Sequence, residues 1–135
     1  MNGAKPRIQA LINVSPTQKH KDMKIVKFGF SLFGINTYVV VDPTTGKCAI
    51  VDPGMIDPEE ENALADYIER NEYQVTHVIN THLHIDHVAG NHFAIERFHV
   101  PVLAHKDDES LGERIDLQAA EFGMSEKIDN VTIST

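Results

Sequence analysis

The chain of 135 residues has one cysteine and no tryptophan. A single thiol cannot form an internal disulfide, and because Cys48 lies in an apolar run we expect it to be buried and unreactive. No apolar run reaches the roughly 18 residues that a membrane-spanning helix needs. The first residues also lack the apolar core of a signal peptide. These absences favour a protein of the reducing cytoplasm that has no membrane partner.

Basic residues are scarce as well, with 12 Lys and Arg against 20 Asp and Glu and a net charge of −8. Because binding to phosphates requires clustered cations, we expect no nucleic-acid partner. Residues 1–22 differ from the rest, since they carry four basic residues and one acid. We therefore predict an N-terminal extension over 1–22, either flexible or preceding a true start at Met23, and one domain portion over 23–135. The sequence does not indicate an oligomeric state.

Hydrophobic patterning predicts an α/β fold. The predicted strands cover 24–30, 35–42, 47–52, 75–80 and 99–104, and another begins near Val131. The predicted helices cover 58–70, 91–98, 106–111 and 117–122. The clearest helix start is Asp57-Pro58, where Asp suits the N-cap, Pro suits the first helical position and three acidic residues follow in the first turn.

The most specific feature is the run Thr81-His82-Leu83-His84-Ile85-Asp86-His87, which holds three imidazoles and one carboxylate. Imidazole nitrogen and carboxylate oxygen are the usual protein ligands of zinc and related divalent ions. Because side chains alternate along an extended chain, His82, His84 and Asp86 are predicted to share one face. A bend at Asp86 would bring His87 to them. The spacing suits two adjacent metal positions, one with His82 and His84 and the other with Asp86 and His87.

This run resembles the His-x-His-x-Asp-His signature of the metallo-β-lactamase superfamily, which includes hydroxyacylglutathione hydrolases, lactonases and persulfide dioxygenases. Residues 36–41 resemble the family's Asn-x-Tyr strand, and 48–54 resemble its strand ending in Asp-x-Gly. The resemblance covers about Met23 to Ser110. It implies a four-layer αββα sandwich of two similar halves, whose remaining metal ligands lie downstream. We therefore expect this chain to be the N-terminal portion of such a domain, about its first half.

The resemblance implies a metal-dependent hydrolase that acts on thioester or other ester-like bonds of a small-molecule substrate through a metal-bound hydroxide. Zinc is the implied cofactor, with two ions in the complete protein, and the same ligands suit iron or manganese. The implied metal ligands are His82, His84, Asp86 and His87, and Asp86 is the implied catalytic residue. Two alternatives stay open. One is a mononuclear iron oxidoreductase of the persulfide dioxygenase type; the other is an incomplete fragment that binds metal weakly, with two protein ligands per ion.

Topology adds two candidates near this run, because Asp52 and His105 each follow a strand predicted to end at the same sheet edge. Asp52 is a candidate for orienting a ligand histidine, for capping the Asp-Pro-Gly turn, or for both. His105 is a candidate for ligation or substrate contact. We expect structural roles for His77, His92 and His99.

Overall fold

The computed structural model of the chain describes residues 7–12, 23–106 and 112–121. Its strands form one sheet in chain order, and they are β1 (Arg7–Ile12), β2 (Lys24–Gly29), β3 (Asn36–Val41), β4 (Lys47–Val51), β5 (Gln74–Asn80) and β6 (Val102–Ala104). The strands β1 to β4 pair antiparallel, whereas β4, β5 and β6 pair in parallel. Parallel neighbours need a crossover connection, and helices provide both crossovers.

The helices are α1 (Pro58–Arg70), α2 (Ile85–Val88), α3 (Asn91–Phe98) and α4 (Ile115–Glu121). The predicted start of α1 is confirmed, because the Asp57 carboxylate accepts a hydrogen bond from the Glu60 backbone N–H at 2.8 Å. The predicted limits of α3 are confirmed too. In the part of the chain that the structure describes, every helix is too short or too polar to cross a membrane.

The hydrophobic core lies on one face of the sheet. Its inward strand residues pack with Leu64 and Ile68 of α1 and with Ala94 of α3, all almost fully buried. Burial of a side chain as large as Leu64 or Ile68 contributes about 1.5–3 kcal/mol. Apolar residues of the opposite face lie outside this cluster and are partly exposed, among them Tyr38, Val40 and Ile79. The described residues therefore form one helical layer on one sheet.

Among the differences from the sequence prediction, three concern β1, β6 and α4. Residues 7–12 were assigned to a separate extension, but they pair with β2 along their whole length. Their local sequence did not indicate this, because an edge strand takes its hydrogen bonds from a distant partner. The strand β6 is shorter than predicted and follows Pro101, which has no N–H to donate. The helix α4 begins two residues before the predicted 117.

Only Lys106 of the predicted helix over 106–111 is described, and the predicted strand near Val131 lies outside the described residues. The predicted boundary between an extension and a domain at residue 23 stays a prediction.

Candidate metal centre

The candidate site lies beyond the carboxyl ends of the parallel neighbours β4 and β5. The strand β4 runs into Asp52, and β5 runs into Thr81 and then His82. The predicted placement of Asp52 at this edge is confirmed, because its Oδ1 accepts a hydrogen bond from the Thr81 backbone N–H at 2.7 Å. In α/β sheets, ligands bind in the crevice at such strand ends.

The segment that follows Thr81 is not extended throughout. His84 keeps an extended backbone (φ −90°, ψ 154°), but α2 begins at Ile85, and the His87 N–H donates to the His84 carbonyl at 2.9 Å. The predicted bend is present, but it begins at Ile85, one residue before the predicted Asp86. Ile85 and Val88 are both buried, and their spacing of three residues requires a helical turn. Asp86 therefore lies on this turn and not on an extended face.

The turn brings the four predicted ligands together, and we name His82, His84, Asp86 and His87 the ligand cluster. The ring centroids are 5.0 Å apart for His82–His87, 5.9 Å for His82–His84 and 6.5 Å for His84–His87. Oδ2 of Asp86 lies 3.7 Å from Nε2 of His87. Two imidazoles on one tetrahedral zinc, at Zn–N distances of about 2.0–2.1 Å, have centroids about 5 Å apart. The shortest separation joins two rings that the sequence assigned to different ions.

The ligand cluster fits a divalent metal by donor type. Within residues 7–12, 23–106 and 112–121, however, no three His, Cys, Asp or Glu side chains converge closely enough to hold one ion. Structural zinc takes four protein ligands and catalytic zinc takes three. The cluster is therefore a partial ligand set, and the roles of its members stay a prediction.

Asp52 connects this cluster to the sheet. It is only 5% exposed, and its Oδ2 accepts a hydrogen bond from the Thr81 hydroxyl at 2.5 Å. The same oxygen lies 3.1 Å from Nδ1 of His87. That nitrogen is buried and makes no hydrogen bond with any described residue, so its contact with Asp52 is electrostatic. Asp52 thus orders the loop and also contacts His87, as the first sequence interpretation required. The predicted cap of the Asp-Pro-Gly turn is not formed by this carboxylate, because the Gly54 N–H donates to Thr37.

The backbone around Asp52 is held in an uncommon shape. Its φ is +54°, in the left-handed region. The fully buried Thr37 hydroxyl donates to the Asp52 carbonyl at 2.7 Å and accepts from the Gly54 N–H at 3.0 Å. A Cβ on Gly54 would lie 2.4 Å from Cγ2 of Ile35 and 2.8 Å from the carbonyl oxygen of Asp86. Only glycine allows this strand end to pass so close to the ligand cluster.

Two buried amides hold the cluster from the other side. The Asn91 amide donates to Oδ1 of Asn80 at 2.7 Å, and the Asn80 amide donates to Oδ1 of Asn91 and to the His87 carbonyl, both at 3.0 Å. Sequence reasoning missed this pair and also Thr37. For Thr37 and Asn80 the available signal was a polar residue at an inward position of an otherwise apolar strand, whereas Asn91 lies in α3 and lacks this signal. We name these residues and Asp52 the buried support: Thr37, Asp52, Asn80 and Asn91.

The other candidates lie apart from the support. His77 is partly exposed on β5, His92 and His99 are exposed at the two ends of α3, and all three fit structural roles. His105 is exposed after β6, and its proximity to the metal stays a prediction.

The prediction for Cys48 is confirmed, because the residue is buried and this burial raises the pKa of its thiol to about 11.

Comparison with known proteins decides the family. The family model described as metallo-beta-lactamase superfamily matches residues 31–129. The chain belongs to the metallo-β-lactamase superfamily. The solved BLEG-1 B3 metallo-beta-lactamase superposes with a TM-score of 0.66 at 20% identity, over 82% of this chain and 53% of that one. The predicted family and α/β fold class are confirmed.

Curated relatives of this superfamily member include two hydroxyacylglutathione hydrolases. The protein of Rhizobium meliloti is 42% identical over 55 residues, which is 41% of this chain and 22% of the relative. The protein of Pelagibacter ubique is 30% identical over 81 residues, which is 60% of this chain and 32% of the relative. The chain thus matches about a third or less of these relatives and about half of the solved metallo-beta-lactamase.

Proposed function

We propose that the chain belongs to a metal-dependent hydrolase that cleaves thioester or other ester-like bonds of a small-molecule substrate. The observation that carries this proposal is the ligand cluster, gathered at one sheet edge over the carboxylate of Asp52. Membership of the superfamily and the similarity to hydroxyacylglutathione hydrolases support a thioester as the substrate class.

Under this proposal His82, His84, Asp86 and His87 hold the metal. A bound divalent ion supplies a water of lowered pKa and polarises the carbonyl of the substrate. We propose zinc, in two positions; imidazole and carboxylate also suit iron and manganese, so the metal content of the protein distinguishes the hydrolase from an iron dioxygenase.

Asp86 is the proposed catalytic residue. Its side chain is partly exposed, with Oδ2 3.7 Å from Nε2 of His87, so the carboxylate can ligate an ion and also accept a hydrogen bond from a water molecule. The position of Asp86 is fixed at the backbone, because its carbonyl packs against Gly54. A carboxylate fixed in this way can orient the attacking water without a change in the fold.

We also propose a cytoplasmic location and no nucleic-acid partner. The relative named hydroxyacylglutathione hydrolase cytoplasmic, from Arabidopsis thaliana, is 40% identical over 55 residues. The presence of only one cysteine and the net charge of −8 support these two proposals.

Replacement of Asp86 tests the function. In the active protein that contains this chain, we expect Asp86→Ala to lower kcat/KM for a hydroxyacylglutathione thioester by at least about 10²-fold, because a metal ligand and the water contact are lost together. His77→Ala is the matched control, since it removes an imidazole outside the cluster, and we expect kcat/KM to stay within about twofold. The measurement is thioester hydrolysis with elemental analysis of bound zinc, iron and manganese.

Equal losses in the two variants would contradict the role of Asp86. Bound iron with oxygen uptake and no hydrolysis would replace the hydrolase by the dioxygenase alternative.

A further inference from the structure

Thr81 lies between a carboxylate and a ligand histidine. Its hydroxyl oxygen is 2.5 Å from Oδ2 of Asp52 and 3.1 Å from Nδ1 of His82. A hydroxyl has one proton to donate and two lone pairs with which to accept. The direction of its proton therefore determines what it can do for the histidine.

The carboxylate fixes that direction. An ionised carboxylate only accepts hydrogen bonds, and 2.5 Å is typical of a charge-assisted O–H···O⁻ bond, so the proton of Thr81 points to Asp52. Towards His82 the hydroxyl oxygen can then only accept. Nδ1 of His82 must carry the proton, and the lone pair of the ring is left on Nε2.

The same carboxylate acts directly on a second histidine. Oδ2 of Asp52 lies 3.1 Å from the buried Nδ1 of His87. A lone pair on this nitrogen would be repelled by the nearby negative oxygen, whereas a proton there is attracted to it. His87 is therefore also expected to carry its proton on Nδ1, which leaves the lone pair on Nε2, the nitrogen nearer to Asp86.

We propose that Thr81 is a positioning residue that relays the charge of Asp52 to His82. One buried carboxylate thereby sets the tautomer of one histidine at each of the two proposed metal positions, His82 through Thr81 and His87 directly. The use of the exposed Nε2 lone pairs for a metal rests on the proposed function, but the tautomers are a property of the metal-free chain.

The chain contains a matched control in the strand that precedes the site. Thr76-His77 repeats the Thr-His pair of 81–82, with Nδ1 of His77 3.0 Å from the Thr76 hydroxyl oxygen. Here the hydroxyl donates to a backbone carbonyl, that of Cys48, at 3.2 Å. His77 is expected to show the same tautomer as His82, but its tautomer should not respond to changes at Asp52.

Nitrogen-15 NMR of the imidazole rings in the metal-free chain tests the relay, at about pH 8.5, well above the ordinary imidazole pKa of about 6.5. In the wild-type chain, His82 and His87 are expected to carry the proton on Nδ1. In Asp52→Asn the new amide can donate to the Thr81 oxygen, which frees the hydroxyl proton for Nδ1 of His82. Both cluster histidines then shift towards the Nε2–H tautomer, while His77 does not change.

Variants of Thr81 separate the relay from the direct contact. Thr81→Val is expected to remove the preference of His82 and to leave that of His87, and Thr81→Ser is expected to restore the wild-type pattern. A proton on Nε2 of His82 in the wild-type chain, or an unchanged His82 in Thr81→Val, would overturn the relay. A shift of His77 equal to that of His82 in Asp52→Asn would attribute the effect to the fold and would also overturn it. Where Asp52→Asn does not fold, the two Thr81 variants suffice.

Zinc titration against a competing chelator tests the positioning role. We expect Asp52→Asn and Thr81→Val each to weaken zinc binding by about 10–100-fold, with Thr81→Ser close to wild type. Unchanged affinity in the presence of changed tautomers would overturn the role of Thr81 towards the metal. Expected tautomers in the chain, together with no zinc, iron or manganese in the complete protein that contains it, would leave the relay standing and would refute the proposed function.

Discussion

The buried support and the ligand cluster are neighbours, yet the fold fixes them to very different degrees. Every support residue is at most 5% exposed and makes at least two side-chain hydrogen bonds. In the cluster, His82 and His84 are exposed, and Asp86 and His87 are partly exposed. Polar groups that folding removes from water must be paired, because each unpaired one costs about 1–3 kcal/mol. The exposed polar atoms of the ligand cluster need no protein partner, because water can hydrogen-bond to them.

The difference shows how folding can build a candidate metal site before a metal binds. The hydrogen bonds of the buried support stabilise the backbone next to the ligand cluster. The histidine nitrogens of the cluster remain available to bind a metal. Substitutions in the support should therefore affect stability, and substitutions in the cluster should affect binding and activity. The following predictions test this division, from the largest expected effect to the smallest.

Gly54→Ala should have the largest effect, because its Cβ would overlap Ile35 and the Asp86 carbonyl. We expect a loss of about 3 kcal/mol in the free energy of unfolding, measured by urea denaturation. Gly46→Ala is the control: its Cβ meets no atom within 4 Å, but its φ of +76° costs about 1 kcal/mol. Equal losses would show that close approach at Gly54 is unimportant.

Asp52→Ala should cost about 2 kcal/mol in the free energy of unfolding, because the Thr81 N–H and hydroxyl lose their acceptor. His84→Ala, in the exposed cluster, should stay within about 0.5 kcal/mol of wild type. The measurement is again the urea midpoint, at constant slope. A larger loss for His84→Ala than for Asp52→Ala would reverse the division between support and cluster.

Asn91→Ala removes one half of the buried amide pair and should cost about 1.5 kcal/mol, because Asn80 loses both a donor and an acceptor. The matched control is Asn71→Ala, since the Asn71 amide donates to the Tyr67 carbonyl at an exposed position. There we expect at most about 0.5 kcal/mol. Thermal unfolding of the two variants compares them directly, and similar shifts in Tm would mean that burial does not distinguish the two amides.

The smallest expected effect is a pH dependence of the free energy of unfolding, which arises from Cys48 in β4. Burial raises the pKa of the Cys48 thiol from 9.0 to about 11, so the folded chain holds this proton more tightly than the unfolded chain. The resulting stability is fully present below about pH 9 and is lost as pH rises towards 11. Relative to Cys48→Ala, the wild-type chain should lose about 1 kcal/mol between about pH 8 and pH 10. Parallel pH profiles for the two proteins would contradict this account.

Local signals predicted some elements well and missed others for a physical reason. The start of α1 was predictable because Asp57 and Pro58 act on their own helix. The donor types of the ligand cluster were also readable from the chain itself. The turn at Ile85 and the role of Thr37 were not, because each depends on atoms brought together from other strands.

By itself, the sequence determined the family, the α/β class and the four donors of the cluster, since all of these follow from residue types and their spacing. The tertiary structure alone decided how those donors are oriented. The left-handed backbone of Asp52, the Thr81 hydroxyl and the Asn80–Asn91 pair act together only when β3, β4 and β5 are adjacent. Hydrogen bonds reach about 3 Å, whatever the separation along the chain, so folding has to bring these groups together.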